Sequence, residues 1–135
     1  MPAKGFGNLS IKMDITVENM GGLQARTLIR RAGYAEHVDR RSGETSYVRR
    51  LSPSGFYPRF HAYLHPREDG SLMIRLHIDQ KQPSYGVGHA HSGEYDGPLL
   101  EGEKVRIMEF INKEIAAAKE SKKEDVGFFK RLFKH

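Results

Sequence analysis

The seven histidines of this 135-residue chain are its most versatile chemical groups. Two of them, His61 and His77, fall in alternating segments with arginine and tyrosine as neighbours. An imidazole with a pKa near ~6.5 can give or take a proton at neutral pH, and a guanidinium beside it can hold the extra charge of a phosphoryl transition state. His61 and His77 are therefore the candidate acid and base of a ribonuclease-like phosphodiester cleavage, with Asp79 or Glu94 to orient one ring. On the same pattern Arg49, Arg59, Arg75 and Lys81 are candidate phosphate partners, and Tyr57 and Tyr63 are candidate stacking platforms for bases. Together these residues point to a domain that binds RNA or single-stranded DNA.

A second grouping supports a different chemistry. His77-x-Asp79 is followed by His89-Ala90-His91. Imidazoles two residues apart on an extended segment project the same way, and an added carboxylate completes a zinc, manganese or iron(II) site. The alternative expectation is thus a divalent metal held by His77, Asp79, His89 and His91, in a metal-binding protein or metal-dependent hydrolase. The run Ser84-Tyr85-Gly86-Val87-Gly88 lacks the Lys-Ser/Thr of a phosphate-binding P-loop and reads as a loop.

Charge favours an anionic partner. Lys and Arg number 22 against 17 Asp and Glu, a net charge of +5. The excess lies in the first half: residues 1 to 67 hold 11 basic and five acidic residues, and nine of the 11 are arginine. A planar guanidinium matches phosphate oxygens better than an ammonium does. With no cysteine, the chain has no disulfide, thiolate nucleophile or cysteine-ligated zinc. Its apolar runs fall far short of the ~20 residues of a transmembrane helix, and the opening MPAKGFGNLS lacks the apolar centre of a secretory leader. The expected compartment is the cytoplasm.

The elements that must carry these residues are legible from periodicity. Residues 9 to 18 alternate strictly, with Leu9, Ile11, Met13, Ile15 and Val17 on one face. Met20 to Ala32 has helical spacing and ends at Gly33, suited to a left-handed cap. Residues 34 to 44 read as polar turn, and Thr45 to Leu51 as a short strand. Pro58 to His65 and Ser71 to Asp79 form the clearest pair, a hairpin around residues 66 to 70. Phe60, Ala62, Leu64, Leu72, Ile74, Leu76 and Ile78 make its apolar face; Arg59, His61, Tyr63, His65, Met73, Arg75, His77 and Asp79 are left on the other. With Leu64 opposite Leu72, His61 would face Arg75.

Residues 80 to 98 read as a long loop, and Pro98 as the first turn of a helix to about residue 120, with Leu100, Ile107, Met108, Ile111, Ile115 and Ala118 as its buried stripe. The order β-α-β-β-β-α predicts an α+β two-layer sandwich, a mainly antiparallel sheet of about four strands with helices on one face. Residues 1–120 are expected to form this single domain. Residues 121–135 read as a charged linker and an amphipathic aromatic tail, whose 126 to 135 stretch could meet a protein partner or a membrane surface.

Overall fold

The computed structural model describes residues 12 to 80 and 92 to 133. The chain is α+β: the described residues form a five-stranded antiparallel sheet with two helices. The elements are β1 (Lys12–Val17), α1 (Ala25–Arg31), β2 (Ala35–Val38), β3 (Thr45–Arg50), β4 (Arg59–Pro66), β5 (Leu72–Asp79) and α2 (Ser92–Leu132). The strands lie in the order β1-β5-β4-β3-β2, so the hairpin β4–β5 occupies the middle and the first strand returns to its flank.

Alternation within each strand divides the sheet into two faces. Ile15 and Val17 from β1, Phe60 and Ala62 from β4, and Leu72, Ile74, Leu76 and Ile78 from β5 are buried beneath the helices. Leu28 and Ile29 of α1 and Leu100, Ile107 and Ile111 of α2 close over them. Burying such an apolar side chain fully is worth about 1.5–3 kcal/mol, so this layer holds the sheet in place. Helix α1 is shorter than its apolar spacing suggests; it ends where Gly33 adopts the left-handed conformation at φ 105°.

Four readings change. The segment 34 to 44 contains the edge strand β2, a fifth strand that polar composition conceals because β2 pairs only with β3 and is mostly exposed. Helix α2 begins at Ser92, so Pro98 lies inside it, without an N–H to offer the preceding turn. The same helix runs unbroken through residues 121 to 132, since Lys, Glu and Ser are tolerated in a helix and nothing between 99 and 132 terminates it. The hairpin register is also displaced by two: Leu64 pairs with Ile74 and Pro66 with Leu72. Its turn is therefore confined to residues 67 to 71, where Asp69 accepts hydrogen bonds from the backbone N–H and hydroxyl of Ser71. A shift of two residues preserves the faces, so the polar set stays together.

A candidate metal centre on the polar sheet face

The register sets the polar face out in rows across the strands. Arg50, Arg59 and Asp79 form one row; Val48, His61, His77 and Lys12 form the next; Tyr63, Arg75 and Asp14 follow. His61 and His77 are thus direct cross-strand partners, with ring centroids 4.9 Å apart. The Tyr63 ring lies parallel to that of His77 at 5.6 Å and 4.7 Å from that of His61.

Asp79 sits at the end of β5 and serves both imidazoles. Its Oδ2 is 2.9 Å from His61 Nδ1 and its Oδ1 is 3.4 Å from His77 Nδ1. Arg59 Nε donates to Oδ2 at 3.2 Å. Burial raises the Asp79 carboxyl pKa, but the contacts with His61, His77 and Arg59 outweigh it and hold the group below its usual range. Burial lowers the pKa of His77, and the nearby His61 and Lys12 act in the same direction against the pull of Asp79. A neutral imidazole is the form that ligates a metal.

His61 is fixed from its other side. Ser46 Oγ lies 2.7 Å from Nε2. The Nδ1 atom is sealed from solvent and, although close to Asp79, forms no hydrogen bond of acceptable geometry with any described residue. His61, His77 and Asp79 also offer one ligand atom each within 4.8 Å of one another. Ligands bonded at ~2.1 Å in a tetrahedral shell stand about 3.4 Å apart, so this 4.8 Å grouping would tighten on taking up an ion.

Ser46, His61 and Asp79 also follow the order of an acyl-transfer triad. Ser46 is only 3% exposed, which keeps a substrate carbonyl from its oxygen, and the paired ladders on both sides of β3 take up backbone N–H groups that an oxyanion would need. Its contact with Nε2 fixes the orientation of the His61 ring.

The structure sorts the sequence candidates. His61, His77 and Asp79 converge, whereas His89, His91 and Lys81 lie outside the described residues. Arg59 and Tyr63 are on the polar face, Arg59 bound to Asp79. Arg75 is there too, but its guanidinium is paired with Asp14 at 3.0 and 3.4 Å. Arg49 is a correction: it stands opposite Phe60 and so points to the helix side, where it donates to the buried Glu103 at 3.2 Å. Arg50 takes its place on the polar face, with its guanidinium 5.6 Å from the Phe56 ring. Tyr57 is 41% exposed beside Arg59, 4.8 Å from guanidinium carbon to ring centre.

Sequence reasoning missed Ser46 and Phe56, and it omitted His61 from the metal set although alternation put it on the same face as His77. A cleft of about 340 Å³ opens next to His77, lined by Lys12, Glu44, Tyr63, His65 and Arg75. A larger one, of about 530 Å³, lies between the Asn19 to Arg26 stretch and the β4–β5 turn, away from these groups. No described helix is long and apolar enough to cross a membrane. No protein-family model, curated protein or solved structure matches the chain.

Proposed function

We propose that this chain is a metalloprotein of the hydrolytic class, with a divalent transition metal held by His61, His77 and Asp79. The observation that carries this reading is the convergence of two imidazoles and a carboxylate, one ligand atom from each within 4.8 Å of the others. Three protein ligands leave coordination positions for water and substrate, the arrangement that separates catalytic from closed structural sites. Such an ion supplies Lewis acidity and makes a coordinated water far more acidic than bulk water. The donor set of two nitrogens and one oxygen suits zinc, manganese or iron(II).

The chain's own groups suit an anionic ester. Lys12 and His65 line the cleft beside His77, together with Glu44 and the Asp14-paired Arg75, and Lys12 has no carboxylate partner among the described residues. Arg59 steadies Asp79, and Ser46 holds the His61 ring in one orientation.

Elemental analysis of protein purified without a histidine tag, followed by calorimetric titration of the metal-free protein with Zn²⁺ and with Mn²⁺, tests the assignment. One equivalent of metal is expected, with uptake lost in His77→Ala and in Asp79→Asn. Failure of the folded protein to take up either ion overturns it, as does uptake that survives both substitutions.

A further inference from the structure

The metal centre adjoins exposed aromatic rings whose companions are arginines. Phe56 is 71% and Tyr57 41% exposed, values that leave ring surface open to a ligand. Arg50 lies over the first ring at 5.6 Å and Arg59 over the second at 4.8 Å. Arg50 has no carboxylate partner among the described residues. Arg59 touches Tyr57 on one side and Asp79 on the other, so the aromatic pair and the proposed metal site meet through one guanidinium. At the far side of the imidazoles lies the cleft with Lys12 and His65.

We propose that this face takes single-stranded nucleic acid, with a base stacked on Phe56 or Tyr57, a phosphodiester at the metal centre and a neighbouring phosphate in the Lys12 cleft. Arg59 to His65 spans about 20 Å along β4 at ~3.3 Å per residue, enough for several linked nucleotides and more than one nucleotide needs. Stacking on an aromatic ring accepts every base, while the cations follow the backbone. Duplex is excluded because its bases are already stacked on each other.

This names the substrate of the proposed metal site and rests on that reading for the chemistry, though binding does not need the ion. In the reaction one water oxygen forms a new bond to phosphorus. The bond from phosphorus to the departing sugar oxygen breaks with its electron pair, and a proton from the water ends on that oxygen. No oxidant or reductant takes part.

Fluorescence anisotropy with labelled 12-mers of oligo(dT) and oligo(U), in EDTA, reads binding alone. Arg50 and Lys12 are two cations of this face without a carboxylate partner among the described residues, so the logarithm of the association constant should fall with log salt by a slope of about 1.4, at ~0.7 per neutralised phosphate on a single strand. Phe56→Leu combined with Tyr57→Leu keeps apolar bulk and removes the rings; it should weaken binding at least tenfold while Zn²⁺ uptake is unchanged. Arg50→Gln should reduce the salt slope by about 0.7. No binding at low salt, equal binding of duplex, or unchanged affinity in the double variant overturns the proposal. His77→Ala separates the two readings: oligonucleotide binding retained without metal uptake supports this surface whatever the fate of the ion.

Discussion

His61 and His77 face each other across the two central strands, with ring centroids 4.9 Å apart and planes inclined by 30°. Two protonated imidazoles so placed would repel, and one carboxylate, Asp79, approaches both through their Nδ1 atoms. Burial, with His61 and Lys12 acting in the same direction, favours the neutral form of the His77 ring. A neutral imidazole beside a carboxylate can ligate a divalent cation, and Ser46 holds His61 from behind.

Ser46→Ala tests that outer support. Removing the hydroxyl leaves the Nε2 atom of His61 without its 2.7 Å partner. Metal affinity measured by calorimetry should fall by roughly 10–100-fold. Chemical denaturation should show a loss of about 1–3 kcal/mol from the unsatisfied buried atom. Unaltered affinity would mean that Ser46 does not position the ring.

The buried carboxylate of Glu103 is a second, purely structural centre. It accepts the Tyr34 hydroxyl at 2.6 Å, Arg49 at 3.2 Å and two bonds from Arg106 at 2.8 Å. Burial, reinforced by the negative charge of Glu103, pushes the Tyr34 pKa well above its ordinary value, so this hydroxyl remains a donor. Glu103→Ala leaves three donors without their acceptor and should cost about 3–5 kcal/mol in urea unfolding. Arg49→Ala should cost less, since Arg106 still neutralises the carboxylate and Arg49 is a third exposed. Neither change should alter oligonucleotide affinity. Weakened binding in Arg49→Ala would contradict its placement on the helix side.

How much of this was readable beforehand follows from where the physics is local. The faces of β4 and β5 were legible because side-chain alternation has a period of two and both strands keep it without a break. Edge strand β2 was not, since one-sided pairing leaves it short and mostly exposed, with no buried apolar face to betray it. The choice between Arg49 and Arg50 turns on a single residue of parity, and only the pairing of β3 with β4 decides it. His77 and Asp79 stood out as candidate ligands by spacing along one strand. Their third partner required the register between strands, which the short turn at residues 67 to 71 sets. Glu103 looked like any solvated helix charge, because burial by Tyr34 and two arginines is a tertiary property.

Acid stability should depend on two turn aspartates. Asp39 accepts from the backbone N–H groups of Ser42 and Arg41, and Asp69 from the Ser71 hydroxyl and backbone N–H. These bonds, that from the Ser42 backbone foremost for Asp39 and that from the Ser71 hydroxyl foremost for Asp69, hold both carboxyls below the ordinary range. A depressed folded pKa gives stability that is present above the unfolded value of ~3.9 and is lost as pH falls through the folded value. Melting temperatures recorded from pH 5 downward should therefore drop less steeply below pH ~4 in Asp39→Asn combined with Asp69→Asn, which retains acceptor oxygens but cannot titrate. Parallel curves for the two proteins would assign the acid transition to other groups.

The end of α2 should be dispensable for the fold. Beyond residue 125, Val126, Phe128, Phe129, Leu132 and Phe133 are each at least half exposed, and Phe129 and Phe133 stack on each other. None of them belongs to the buried core, whose last helical member is Ile111, with Ile115 partly buried against it. Apolar groups that remain in water contribute little to folding, because the transfer free energy of about 25 cal/mol per Å² applies only to area removed from solvent. Ending the chain after Asp125 should leave the urea midpoint and the metal stoichiometry unchanged, while Lys130 and Arg131 leave with the segment and the protein becomes less prone to self-association through its exposed rings. A lower midpoint in the shortened chain would show that these rings pack on the domain.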